Sequence, residues 1–328
     1  MGVLRLLNYF RFGGNFLINM ISRGLRTYNT IRPLNAQIEL TLRCNARCRF
    51  CSIWTKEYQQ SLTDKEMTTE QVKHIIDELN KLNICVLSFT GGEPTLRDDL
   101  GELIDYAAKY GIITGIATNG YYLEELIKNG ALKNLENCMV SIDFPNAEEH
   151  DENRGIKVFN RALRGIRAAR KIGIKVLISM TVTKDNIKYM EPMAKLATKL
   201  HCAIEMLPCE NIIREVADKT LEVKDIEQKY IPDLKLWAKE IRRLHQKYPV
   251  ITTDLITSSI IQHGGFGRDG KFGLREKYLF WYTTYMPCHV AAAYIFIKYN
   301  GDVVFPCKIH PILSINSLKY PVSKIYLR

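Results

Sequence analysis

The feature that most constrains this chain is an alternation of two apolar periods, repeated between residues 37 and 207. Residues 37–42 alternate apolar and polar as a half-buried strand does. Val72, Ile75, Ile76 and Leu79 then fall at helical spacing behind Thr68 and Gln71, which read as a capping box. The same exchange recurs with strands predicted over 84–89, 112–117, 138–142, 175–182 and 203–207. The intervening helices are predicted from 98 and over 122–128, 160–171 and 189–200. Consecutive parallel strands need a crossover of this length, and crossovers of one hand keep the helices outside the sheet. Six β/α units in an α/β fold are therefore expected, and 328 residues at 46% hydrophobic content can supply their core.

Such a sheet gathers the C-terminal ends of its strands at one rim, where barrel enzymes place their chemistry. After the first strand come Cys44, Cys48 and Cys51, three thiols within eight residues. They can converge on a soft metal centre while a fourth position stays open. A closed zinc site wants four protein ligands, and no partner Cys-x-x-Cys or His pair lies at zinc-finger distance. A [4Fe-4S] cluster held by three thiolates leaves one iron open, although spacing alone also admits zinc or a chance cluster. The second strand ends in Gly91-Gly92-Glu93-Pro94. Two glycines let backbone approach a ligand and Glu93 offers an acceptor for an ammonium group; the plain alternative is a Gly-Gly turn before a helix-starting proline. Thr118-Asn119-Gly120 and Ser141-Ile142-Asp143 end the third and fourth strands, and Thr183 and Asn186 follow the fifth. Singly these are turn and cap residues; together they put polar groups around one mouth.

With an aromatic residue, Phe50, before the last cysteine, Cys-x3-Cys-x2-Cys resembles the signature of the radical S-adenosylmethionine (SAM) superfamily. The resemblance continues through Gly-Gly-Glu-Pro and through His150-Asp151-x-x-Arg154-Gly155. It implies a partial (β/α)6 barrel of the TIM type, a [4Fe-4S] cluster on Cys44, Cys48 and Cys51, and SAM on the open iron. It further implies that Gly91, Gly92 and Glu93 hold the amino group of SAM, and that Asn119, Ser141 and Asp143 lie along its ribose and methionine parts. Arg154 is a candidate for the SAM carboxylate, with a salt bridge to Glu148, Glu149 or Asp151 as the alternative. The implied chemistry is reductive cleavage of SAM to a 5′-deoxyadenosyl radical that takes hydrogen from a substrate. The implied partner is an electron donor of the flavodoxin or ferredoxin type. The stripe Arg161, Arg164, Arg167 and Arg170 would suit its docking if it is more than a solvated face.

The flanks set the remaining expectations. Nine cysteines, an odd number, argue for metal ligation in a reducing cytoplasm over a disulfide framework. A net charge of +11 favours an acidic partner, but no nucleic-acid motif is present, so none is expected. Residues 1–32 carry five arginines and no acid among many apolar residues. This N-terminal basic amphipathic extension either packs on the barrel or, through residues 1–28, lies at the inner face of the membrane. Residues 33–212 form the expected barrel, 213–275 a helix and linker, and 276–328 a small C-terminal β-hairpin extension around Asn300-Gly301. Cys288 and Cys307 bracket that hairpin, and the stretch resembles the SPASM/twitch extensions that hold an auxiliary Fe-S cluster. It has one residue too many before Cys307 and no cysteine after it, so a second metal site would need Cys202, Cys209, His289, His310 or a partner to complete it, and the favoured reading is a degenerate extension used as a substrate lid. Cys85 and Cys138 read as core. For the substrate, the N-terminus points to a membrane lipid or isoprenoid and the C-terminus to a peptide or protein. A non-catalytic metal-binding module is the alternative of another class.

Overall fold

A computed structural model describes residues 33–55, 65–209, 229–253, 294–305 and 313–322, with short pieces at 214–216 and 219–221 and isolated residues at 13, 14, 17, 255, 258 and 259. The N-terminal extension, Cys288, His289, Cys307 and His310 therefore lie outside the described residues or nearly so.

The six strands run as β1 (Asn35–Thr41), β2 (Val86–Gly91), β3 (Ile113–Thr118), β4 (Asn137–Ser141), β5 (Lys175–Val182) and β6 (Ala203–Pro208). They pair side by side in parallel, in chain order. Between them stand α1 (Thr69–Lys81), α2 (Leu100–Lys109), α3 (Leu123–Lys128), α4 (Ala147–Arg154), α5 (Phe159–Lys171) and α6 (Met190–Lys199). The capping box of Thr68 and Gln71 is formed at the start of α1.

The core lies between the sheet and these helices. Ile38, Leu40, Leu87, Phe89, Val140, Ile178, Met180, Ile204 and Met206 are buried against Val72, Ile76, Leu103, Ile104, Ile166 and Met193. A seventh helix, α7 (Leu234–Lys247), is capped by Asp233, whose carboxylate accepts from the amides of Lys235 and Leu236. It closes the β6 side with Trp237, whose indole donates to the Met206 carbonyl at 3.2 Å.

The C-terminal hairpin sits where the sequence pattern does not place it. Its strands β9 (Tyr294–Ile297) and β10 (Asp302–Phe305) do not stand apart as an appendage. After the small hairpin β7 (Arg214–Val216) and β8 (Lys219–Leu221), β9 joins the main sheet in parallel with β1, and β10 and β11 (Leu313–Asn316) follow antiparallel. The sheet is thus nine-stranded, mixed and unclosed, in the order β11-β10-β9-β1-β2-β3-β4-β5-β6. Gly301, at a φ of 89°, makes the turn. The consequence for the site is Tyr299, which packs with Leu42 and Ile53 beside Cys44 and Cys51.

Candidate active site at the strand-end rim

The cysteine loop leaves β1 and is clamped from three sides. Gly92 donates its amide to the Thr41 carbonyl at 2.7 Å and Glu93 to the Arg43 carbonyl at 2.9 Å, tying the loop to the end of β2. Asn119, at the end of β3, donates from Nδ2 to Asn45 Oδ1 at 2.7 Å. Arg47 and Arg49 donate their amides to the carbonyls of Arg154 and Asn153 at 2.8 and 3.0 Å, tying it to the end of α4. Gly155 lets that helix end so close, with a φ of 62° and the Arg47 backbone where a Cβ would stand.

The two glycines serve this clamp. A Cβ on Gly92 would stand 2.4 Å from the Arg43 carbonyl oxygen, and one on Gly91 2.2 Å from that of Thr41. What they admit is the backbone of the cysteine loop, where the sequence suggested a ligand. Gly92→Ala must therefore move backbone, and we expect it to cost about 1–3 kcal/mol and to weaken iron retention. Urea denaturation and iron analysis check both; an unperturbed variant would mean that the clamp is slack.

Glu93 has structural partners of its own. Its carboxylate is buried: Oε1 accepts from the Thr95 amide and hydroxyl at 3.1 and 2.6 Å and from the Thr118 hydroxyl at 2.7 Å, and Oε2 from the Asn119 amide at 2.7 Å. Burial pushes its pKa up against the pull of those four donors. The side chain joins the ends of β2 and β3, and Oε2, with one donor, keeps acceptor capacity.

Asp143 and Arg154 form a buried ion pair behind the loop. Arg154 Nη2 donates to Asp143 Oδ2 at 2.7 Å while Nη1 donates to Cys48 Sγ at 3.7 Å. Asp143 also accepts from Asn153 Nδ2 and the Thr181 amide, both at 3.0 Å. His150, wholly buried and kept neutral by burial and by Arg154, accepts from the Asp143 amide at Nδ1. Asn186 holds the next turn, donating to the carbonyls of Asp143 and Thr181. The partner of Arg154 is thus none of Glu148, Glu149 and Asp151. Its guanidinium, under which the Phe50 ring centroid lies at 5.4 Å, supports Cys48. Ser141 faces the sheet interior, half-buried.

The local chemistry fits an iron-sulfur cluster. Burial, with only the Ala46 amide set against it, pushes the Cys44 thiol up to about 12, and burial likewise raises Cys48 against Arg154. A cationic centre supplies what turns such thiols into thiolate ligands. Among the described residues no three His, Cys, Asp or Glu side chains close on a single ion; a four-iron cube is wider than one ion and needs its thiols farther apart than a single ion does. Asn45 Nδ2, Ser52 Oγ and Arg154 Nε are buried here without a hydrogen-bond partner, three donors placed to serve sulfur or a bound ligand. Asn45, Ser52, Asn153 and Thr181 carry no sequence signal of their own beyond lying next to the motifs.

Other predicted residues separate. Cys202 stands just before β6, at the far end of the barrel, donating to the Leu200 carbonyl, whereas Cys209 is buried just past the rim end of that strand. Of these two, Cys209 is the one at the rim end of β6. Cys85 and Cys138 are core. On α5, Arg161 stacks on Tyr121 at 4.1 Å, Arg164 pairs with Glu124 at 2.8 Å and Arg170 caps the Leu200 carbonyl at 3.0 Å, which accounts for most of the stripe within the chain.

Known proteins share this arrangement. Residues 38–197 match the Radical SAM superfamily. The chain is 32% identical over 231 residues to the "Probable GTP 3',8-cyclase" of Thermococcus kodakarensis, covering 68% of this chain and 74% of that one. It is 33% identical over 171 residues to the AdoMet-dependent heme synthase of Oleidesulfovibrio alaskensis and 31% over 185 to the mycofactocin maturase MftC of Mycolicibacterium smegmatis. These matches cover 50% and 56% of this chain but less than half of the relatives, 42% and 45%. Among solved structures, Streptococcus suis SuiB bound to the precursor peptide SuiA superposes with a TM-score of 0.66 at 16% identity, over 93% of this chain and 67% of that one. With its cysteine loop clamped at the rim of a partial barrel, the chain belongs to the radical SAM superfamily, and that membership implies SAM and an Fe-S cluster.

Proposed function

We propose that the chain is a radical SAM enzyme that modifies a peptide or protein. The observation that carries the chemistry is the clamp: β2, β3 and α4 all hold one loop bearing Cys44, Cys48 and Cys51. Those thiolates would hold a [4Fe-4S] cluster, which when reduced supplies the electron that splits SAM into methionine and a 5′-deoxyadenosyl radical. The chain's own contributions are positional. Arg154 holds Cys48, Asn119 holds Asn45, and Leu42, Ile53 and Tyr299 form an apolar wall that keeps water from the thiols.

A peptide substrate is supported by the sequence likeness to a maturase and by the fold shared with SuiB. A lipid or isoprenoid substrate rests on residues 1–28 alone, which lie almost wholly outside the described residues. Among those described, no helix is long and apolar enough to cross a membrane. A flavodoxin or ferredoxin remains the electron donor that the chemistry calls for, and Cys288 and Cys307 the candidates for an auxiliary cluster.

Anaerobic reconstitution tests the reaction. The protein should bind about four irons per chain and release 5′-deoxyadenosine from SAM under dithionite. Zinc in place of iron, or a loaded protein that leaves SAM intact, would instead make it a metal-binding module.

A further inference from the structure

The barrel interior holds a carboxylate that the site has not used. In β6, Ile204 and Met206 are wholly buried on the helix side, so Glu205 between them faces inward. Its register partner on β5 is Ser179, and the partner of Ser179 on β4 is Ser141. Both serines alternate in the same way with buried Val140, Ile178 and Met180, so Ser141, Ser179 and Glu205 form one polar rung across the inner face. The rung stands two residues below Asp143 and Thr181 and opens toward the same rim as the cysteine loop. Glu205 is half-buried and, among the described residues, makes no hydrogen bond or ion pair, and burial raises its carboxyl.

A half-buried carboxylate without a described partner is stabilised by taking up a proton or by a donor that meets it, and a cation meets it best. Ser179 stands one strand away, about 4.8 Å between backbones, and its hydroxyl can supply a second acceptor. A compact ammonium with three donors can serve both, whereas a neutral donor leaves the carboxylate charge uncompensated and an acidic group repels it. We propose that Glu205, with Ser179 beside it, is a specificity site that receives an alkylammonium group of the substrate, such as a lysine side chain of a peptide. This rests on the enzyme and peptide assignments above and adds to them the charge of the residue drawn into the barrel.

The test uses the full chain, reconstituted anaerobically with SAM, and calorimetric binding of n-butylammonium against its neutral isostere n-butanol. The wild type should bind the ammonium about tenfold more tightly than the alcohol. Glu205→Gln, nearly isosteric, should abolish the preference, and Ser179→Ala should reduce it about threefold, while SAM affinity stays within about twofold. Equal binding of both probes by the wild type, or a preference that survives in Glu205→Gln, overturns the proposal. So does a tenfold loss of SAM affinity in Glu205→Gln, which would assign Glu205 to the SAM pocket. The peptide assignment fails separately: ammonium preference as expected, but no modification of lysine-containing peptides, leaves the rung standing and removes the peptide.

Discussion

Cys48→Ala is expected to leave the anaerobically reconstituted protein without a stable cluster and to lower 5′-deoxyadenosine formation at least ~10⁴-fold, to the background of the assay. Three thiolates are the whole protein share of the proposed cluster, so none is redundant. Cys48 is the sharpest case because it is the most enclosed of the three, only 7% exposed, with Arg154 donating to its sulfur and Trp54 to its carbonyl. Alanine removes the ligand and leaves the loop's backbone clamps in place, so the loss reports ligation and not folding. Cys44→Ala and Cys51→Ala should behave alike. Cys138→Ala is the matched control: a buried thiol in β4 that should cost about 1–2 kcal/mol of stability and leave the iron content unchanged. Iron and sulfide analysis beside the SAM assay checks all four. Wild-type iron content in Cys48→Ala would remove Cys48 from the ligand set.

How far the sequence leads depends on whether a feature is local. Strand and helix periods survive in the structure because each is set by which face is buried; the strand predicted over 175–182 is β5 to the residue. The cysteine, Gly-Gly-Glu and Asn-Gly motifs fall at the strand ends where the alternation puts them. The hairpin's own turn is legible from Asn300-Gly301, but its docking beside β1 is not. Parallel pairing of β9 with a strand some 260 residues earlier leaves no mark in either segment. Side-chain direction at the rim is equally hidden. Glu93, Asp143 and Arg154 look like ligand contacts because they are polar and close to a mouth. Each also satisfies a neighbouring strand end or helix end, because buried amides and thiols there need partners before any ligand arrives. Glu205 lay in plain view as a polar residue within an apolar strand, and only the register shows that Ser179 stands beside it with Ser141 beyond.

The Asp143–Arg154 pair should prove the largest single contributor to rim stability outside the cluster. Breaking a buried pair by removing one partner costs about 3–5 kcal/mol, because the survivor keeps its charge without compensation. The two partners are not equivalent. Burial opposes the Arg154 charge, yet Asp143 and Cys48 keep the guanidinium protonated, and arginine cannot escape by losing its proton. Asp143, whose pKa burial already raises, can take up a proton when Arg154 is removed. Asp143→Ala should therefore destabilise more than Arg154→Met, and the double variant Asp143→Leu/Arg154→Met should recover much of the loss. Urea denaturation of the anaerobic apoprotein gives the cycle, with a coupling energy of about 1–3 kcal/mol. The clamp adds a second readout. Asp143 accepts from the Thr181 amide and from Asn153, whose carbonyl holds the Arg49 amide, so Asp143→Ala should also loosen the cysteine loop and speed iron loss to a chelator. Single losses that simply add, with iron release unchanged, would mean that the pair is a bystander and that the backbone clamps at Thr41, Arg43 and Arg154 hold the loop alone.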